Sequence, residues 1–338
     1  MENRVFIITV GKSHLLQDAI QLADLGYRIT LITFWPRFKF PNNLRVISLF
    51  LVYWPFYFFR KQWMENFAFG FLRMLKFKGR VIIDQNLAHF VKSDNVIIDC
   101  PTCSLEHQED IWRKMELQCG CTSQRLMQQK TRGLLSYNAK NMKNCRNFVV
   151  PSESALKTYP LNWRDKGIVR GFARKDISIT RSYNRRLKVL LVGVVDCSKN
   201  FHFVISSLKL YRDNIDSIDI FGEVLDRDYL DYLTDLADGM RIEFHGSIDQ
   251  VELFQKFGDY DVGIVSSMSE GMSLSGVQML EKSLPVIGHR LSGLEVILGP
   301  EYTWSFDEDF NRVFDNLLKE GYSLEYKGAV NDEISSCW

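Results

Sequence analysis

Charge of one sign is what this sequence most clearly lacks. Its 42 Lys and Arg are met by 41 Asp and Glu, for a formal net charge of +1. A dedicated nucleic-acid binder carries a strong basic excess, so that class is set aside. No run of residues reaches the roughly 20 consecutive apolar positions that a membrane-spanning helix needs. The opening segment, MENRVFIITV, has neither the apolar core nor the cleavage site of a secretory signal. The seven cysteines are odd in number and scattered, and with the missing leader they point to a reducing cytosol. Cys100-x2-Cys103 is followed by Cys119-x-Cys121, one spacer residue short of the usual zinc pair and with no His pair beside it. Buried or idle thiols are the better reading, and no metal is expected. No Gly-x-Gly-x-x-Gly follows any apolar run, which weighs against a dehydrogenase. Repeats and low-complexity stretches are absent too.

What is present fits a soluble globular chain, with 46% apolar and 25% charged residues. At 338 residues it is too long for one ordinary core and suits two domains. Short β-branched and aromatic runs alternate with amphipathic helical patterns, the mark of parallel sheets with right-handed crossovers. In the first half, strands are expected at Val5–Val10, Tyr27–Phe34, Arg45–Val52, Val81–Asp84, Asn95–Cys100 and Phe148–Val150. The first helix places Leu15, Ile20, Leu22 and Leu25 at its apolar positions and ends at Gly26. In the second half, strands are expected at Leu187–Val195, Ser217–Phe221, Arg241–Phe244, Asp261–Ser266 and Pro285–Ile287. Helices fall between them at Phe201–Tyr211, Tyr229–Asp238, Gln250–Phe257 and Ser273–Lys282. The fold class is α/β, with two doubly wound, Rossmann-like domains facing a cleft. The expected boundaries are 1–165, a linker at 166–185, a second domain at 186–310, and a segment 311–338 packing back toward the first domain.

The most informative segment is residues 261–287, DVGIVSSMSEGMSLSGVQMLEKSLPVI. It reads as a strand, a turn holding Glu270-Gly271, a helix, then Pro285 and another strand. The first backbone N–H groups of that helix, around Met272, Ser273 and Leu274, have no intrahelical acceptor, and with the helix dipole they suit a phosphate. Glu270 stands before this end, and Gln278 lies about 12 Å further on if the residues between are helical. Such a spacing fits a sugar nucleotide, with hydroxyls at its two ends and phosphates between.

This pattern resembles the family-four retaining glycosyltransferases: a Glu-Gly turn after a strand, a second polar position after seven residues, and Pro-Val-Ile after seven more. Gly193 at a strand end, Lys199-Asn200 at a helix start, Ile220-Phe-Gly222, Phe244-His-Gly246 and Phe148-Val-Val-Pro-Ser152 follow in that family's order. The resemblance covers residues 145–300 well and implies a GT-B fold. It further implies that Glu270 holds hydroxyls of the transferred sugar and that Lys199 neutralises the leaving phosphate. Gly193, Gly271, Met272, Ser273 and Leu274 would line the diphosphate, and Gln278 would bind the ribose. Retention of configuration without metal or other cofactor is implied as well, the nucleotide-sugar being a substrate. Two positions depart from the pattern: Gln278 stands where the family has a second Glu, and Val194 where it has an Arg.

Acceptor contacts are expected from loops of the first half, with Gly11, His14, Asp99, Thr102 and His107 as candidates. A capping or surface role fits each of these equally well. Residues 49–80 mix aromatics with Arg60, Lys61, Arg73, Lys76, Lys78 and Arg80. They read either as an attachment to an anionic membrane surface or as a buried strand and helix with a basic outer face. The function these readings suggest is transfer of a sugar to a glycan or lipid-linked glycan, in synthesis of surface polysaccharide or glycoconjugate. It would take place in the cytoplasm or on the inner face of the membrane. The alternative is a weakened relative that serves as a binding or partner subunit.

Overall fold

The computed structural model describes residues 4–9, 13–33, 44–48, 75–84, 95–100, 145–171, 175–268, 270–305 and 307–328, together with Leu72, Val91, Ser104 and His107. The first half holds seven strands: β1 (Arg4–Thr9), β2 (Arg28–Thr33), β3 (Arg45–Ser48), β4 (Arg80–Asp84), β5 (Val96–Asp99), β6 (Asn147–Val150) and β7 (Gly167–Val169). They lie in the order β3-β2-β1-β4-β5-β6-β7, and every pairing is parallel. The second half continues with β8 (Ile177–Arg181), β9 (Leu187–Val192), β10 (Ile215–Phe221), β11 (Ile242–Gly246), β12 (Val262–Val265), β13 (Val286–His289), β14 (Thr303–Trp304) and β15 (Tyr322–Tyr326). Its main sheet runs β11-β10-β9-β12-β13-β14, again all parallel, and β8 pairs antiparallel with β15. In both sheets the strand order reverses beside the first strand, between β1 and β4 and between β9 and β12. Ligands of open α/β sheets bind at the carboxyl ends of the strands at such a reversal.

Both faces of each sheet are apolar, as a parallel sheet with helices on both sides requires. On one face of the first sheet Ile8, Ile83, Ile98 and Phe148 pack with Tyr159, while Ile7, Ile82, Ile97 and Val149 pack on the other with Leu15, Ala19 and Leu22. The helix Ser13–Asp24 meets that core through Leu15, Ala19 and Leu22; Leu25, expected on the apolar face, is 50% exposed. In the second half the helix Phe201–Leu208 buries Phe201, Val204, Ile205 and Leu208, spaced to share one face. Each such fully buried side chain contributes about 1.5–3 kcal/mol.

The chain between the halves is shorter than the expected linker 166–185. Gly167–Val169 is the edge strand of the first sheet, and Ile177–Arg181 already pairs with β15. At the end of β7, Arg170 makes a two-pronged, buried ion pair with Asp18 of the first helix, both contacts at 2.6 Å. The end of the chain also differs from expectation. As far as Gly328, segment 307–328 packs on the second half: helix Asp307–Glu320 buries Phe310, Val313, Phe314 and Leu317 there, and the Tyr322 hydroxyl donates to the Val286 carbonyl at 3.0 Å. Trp304 of β14 meets Phe310 of this helix edge-on at 5.1 Å. Residues 329–338 lie outside the described residues.

Of the aromatic and basic segment 49–80, Leu72 and residues 75–80 are described, and the rest, Arg73 and Trp63 included, lies outside. Leu72 is buried, Leu75 and Phe77 pack against the first core, and Phe77 meets Phe6 edge-on at 5.1 Å, while Lys76 and Lys78 are exposed. Over residues 75–80, therefore, apolar side chains turn inward and basic ones outward. Among the described residues no helix is long and apolar enough to cross a membrane.

Candidate functional site

At the carboxyl end of β9 the chain turns through Gly193, whose φ of +154° disfavours any side chain. A Cβ there would sit 3.0 Å from Cε of Lys199, because the lysine side chain lies across the glycine. Lys199 ends a short turn, Cys197–Lys199, that Asp196 caps by accepting the Ser198 N–H at 2.8 Å. Asn200 follows in the left-handed region at φ 55° and redirects the chain into the helix Phe201–Leu208. The Lys199 carbonyl in turn accepts from the Ser266 hydroxyl at 2.6 Å. The lysine is thus held from two strand ends, β9 and β12, at the point of reversal.

Glu270 reaches the same place from β12. Its carboxylate forms an ion pair with the Lys199 ammonium, with side-chain exposures of 19% and 22%. Its N–H donates to the Leu291 carbonyl at 3.2 Å, and the N–H of Ser273 donates to the Ser292 carbonyl at 2.8 Å. A second loop after β13, Arg290–Gly293, therefore backs the Glu270 turn. Gly293 closes that loop at φ +74°, and a Cβ on it would fall 2.0 Å from the Gly271 carbonyl oxygen. Gly271 also accepts, at 2.7 Å, from the hydroxyl of Ser152, which lies just past β6 in the first half.

Helix Leu274–Glu281 begins one residue later than expected, with Ser273 as its cap; the Ser273 side chain accepts the Gly276 N–H at 3.4 Å. The Ser273 N–H, expected to face a diphosphate, is engaged by Ser292 inside the protein. The helix's first turn leaves the N–H groups of Leu274 and Ser275 without an intrahelical carbonyl, and Leu274 is 37% exposed. Gln278 follows one turn along, half-buried. The structure thus brings Gly193, Lys199, Glu270, Gly271, Met272, Ser273, Leu274 and Gln278 onto one strand–turn–helix edge.

The acceptor candidates are less gathered. Gly11 and Thr102 lie outside the described residues, and His14 is on the first helix with its side chain outside them. Asp99 is buried at the carboxyl end of β5, the edge on which a crevice ligand would sit. His107 is elsewhere: its N–H donates to the Ser104 hydroxyl at 3.2 Å, and Ser104 is tied to the Thr158 carbonyl at 2.8 Å, at the far end of the helix Glu153–Lys157.

Cys100, Cys145 and Cys197 are buried thiols, and burial pushes that of Cys145 up; Cys103, Cys119 and Cys121 lie outside the described residues. Asp219, Glu243 and His245, on β10 and β11, have ligand-type atoms within 4.8 Å of one another. Each is already engaged: Asp219 with His245 at 2.5 Å and Ser217 at 2.9 Å, and Glu243 with Arg241 at 2.7 Å. With Phe221 stacked on the imidazole at 4.3 Å, this is a hydrogen-bonded polar cluster on the sheet edge.

Chemically, the Lys199 ammonium has three donors and offers Glu270 one of them, so a phosphate oxygen can share it. The carboxylate can accept from hydroxyls. Sequence reasoning found Lys199 and Glu270 but not their direct contact, nor the support from Ser266, Leu291, Ser292 and Gly293. The signal for the last three was the Ser-Gly that follows a strand entered through Pro285. Ser152 entered the sequence reading only as the end of the Phe148-Val-Val-Pro-Ser152 match, and neither its capping of the helix Glu153–Lys157 nor its partner across the molecule was foreseen.

No protein-family model matches the chain, and no curated protein matches it. Solved structures do. The sucrose-phosphate synthase of Thermosynechococcus elongatus superposes with a TM-score of 0.64 at 14% identity, over 99% of this chain and 94% of that one. The lipopolysaccharide outer core galactosyltransferase WaaB, in its apo form, gives 0.56 at 13% identity over 99% and 94%. A trehalose-6-phosphate structure from E. coli, bound with UDP-2-fluoro glucose, gives 0.58 at 11% identity over 94% and 91%. The chain has the two-domain, Rossmann-like GT-B fold.

Proposed function

We infer that this protein transfers a sugar from a nucleotide-sugar donor to a glycan or lipid-linked glycan. The observation that carries this reading is the Lys199–Glu270 pair at the strand reversal, beside the start of helix Leu274–Glu281. The structural neighbours point the same way: one is a sucrose-phosphate synthase, one a galactosyltransferase, and another is bound with UDP-2-fluoro glucose. On this reading the donor's diphosphate takes over Lys199 and the N–H groups of Leu274 and Ser275. Glu270, released from the lysine, accepts from hydroxyls of the transferred sugar, and Gln278 from the ribose. As the glycosidic bond to the diphosphate breaks, negative charge grows on the leaving oxygen, where a cation and a helix start already in place stabilise it most. Retention of configuration and independence from metal belong to the same proposal, as does a place in surface polysaccharide or glycoconjugate synthesis.

The test is calorimetry with UDP, GDP and ADP, each with and without EDTA. Binding of one of them that survives EDTA supports the reading; no binding, or binding only with divalent metal, removes its basis. A second reading, a binding subunit without turnover, is favoured by Val194 and Gln278, neutral where a cation and a carboxylate would strengthen donor contacts. Donor hydrolysis and transfer assays on the same preparation separate the two.

A further inference from the structure

We propose that Ser152, a residue of the first half, is a positioning residue of the donor site in the second half. The proposal rests on the donor-site reading above and deepens it. Three observations meet at this serine. Its hydroxyl donates to the Gly271 carbonyl at 2.7 Å, a buried bond between residues 119 apart in sequence. The same oxygen accepts the Ala155 N–H at 3.1 Å and so caps the helix Glu153–Lys157. Beside it Gly171, at the point where the chain leaves the first sheet, has its Cβ position 3.7 Å from Cε of Met272 and 3.8 Å from the Pro151 carbonyl.

The consequence follows from the peptide bond. The Gly271 carbonyl and the Met272 N–H belong to one planar trans unit and point in opposite directions. A donor fixed on the carbonyl therefore fixes the direction of that N–H, in the turn between Glu270 and the helix start. Gly293 lies so close to the same carbonyl, from within the second half, that a Cβ on it would fall 2.0 Å from the oxygen. The peptide is clamped between a glycine of its own domain and a hydroxyl of the other. Among the described residues the Ser152 bond spans the crossing, so rotation of one half against the other would strain it. Donor-loop geometry is thereby coupled to the relative position of the two halves, and the coupling passes through a group that touches neither sugar nor phosphate.

Ser152 has two jobs, and the experiment must separate them. Amide hydrogen exchange of the full chain is read at 153–158 and at 270–276, in the parent, in Ser152→Ala and in Ser152→Thr. Loss of the cap alone speeds exchange at 153–158 only. Loss of the coupling also speeds it at 270–276, by roughly two- to tenfold, the worth of one neutral hydrogen bond. Ser152→Thr keeps donor and acceptor and should restore both segments toward the parent. Ser152→Cys, a weak donor of similar size, should fall between and serves if the alanine variant does not fold. Donor kinetics are read alongside: Ser152→Ala should lower kcat and raise the donor KM, and Ser152→Thr should not. Exchange at 270–276 that is unchanged in Ser152→Ala overturns the proposal, as do unchanged kinetics. A parent chain that binds no nucleoside diphosphate would instead sink the donor-site reading, while the exchange comparison still decides whether the two halves are coupled here.

Discussion

At the scale of single residues, the Lys199–Glu270 contact changes what each substitution should do. Both side chains are about one-fifth exposed, so the pair by itself adds little stability. Its interest lies in competition, because Glu270 holds the cation that a diphosphate needs. Glu270→Gln frees the ammonium, so nucleoside diphosphate affinity should hold or rise while kcat falls. Lys199→Met removes a charged donor worth about 1.5–3 kcal/mol, so affinity should drop roughly 10- to 100-fold. Calorimetry for binding and initial rates for kcat give both numbers on each variant. If Glu270→Gln weakens nucleotide binding as much as Lys199→Met does, the two residues do not divide the donor as assigned. These residue types were legible in the sequence because a Glu-Gly after a strand and a Lys-Asn opening a helix are local patterns. Their contact was not, since it joins positions 71 apart. The engagement of the Ser273 N–H was hidden for the same reason: its acceptor, Ser292, belongs to a different loop.

At the scale of elements, hydrophobic periodicity was enough wherever a strand is central. β1, β9 and β12 lie within a residue or a few of their expected places, because continuous apolar runs buried on both faces leave few alternatives. The misses are short or paired at long range. β7 is a three-residue edge strand with every residue half-buried, and β8 finds its antiparallel partner β15 only at the other end of the second half. β7 has no alternation to read, and β8 alternates over only five residues with its partner far along the chain.

The helix Phe201–Leu208 supports a prediction of its own. His202, in its first turn, is bound to the Tyr229 hydroxyl at 2.9 Å, and burial lowers its pKa to about 4. A depressed histidine is neutral when folded, while the unfolded chain protonates near 6.5, so acid favours unfolding. The stabilisation is complete above that unfolded value and is lost as pH falls from it toward about 4, by at most about 3 kcal/mol for a shift of this size. Denaturant melts of the second half at pH 7 and pH 4.5 should show the loss, and His202→Asn should reduce it. A parent and variant with the same pH dependence would assign the acid sensitivity to other groups. Gly293→Ala tests the neighbouring loop: its clash with the Gly271 carbonyl and its positive φ should displace the Glu270 turn and abolish donor binding, with little change in far-ultraviolet circular dichroism.

At the scale of the whole molecule, two Rossmann-like domains were legible from two successive α/β patterns and GT-B from the motif resemblance, while the joint between the domains was not. The two sheets have separate cores: that of the second half runs from Ile177 to Leu324, and those of the first half from Val5 to Tyr159. Arg170 and Asp18, 8% and 1% exposed, stitch the first half shut just before the crossing. Removing one partner of a buried pair strands the other charge and costs about 3–5 kcal/mol. With independent cores, that loss should fall on the first half alone. A nucleoside diphosphate bound to the second half should act on the other, raising its stability by about 2.7 kcal/mol at a hundred times Kd. Calorimetric melts of the parent and of Arg170→Ala, each with and without nucleotide, should therefore resolve two transitions: the substitution lowers one, the nucleotide raises the other, and neither moves its partner by a comparable amount. If both transitions shift together under either change, the halves unfold as one unit, and the contact through Ser152 carries more energy than a single hydrogen bond.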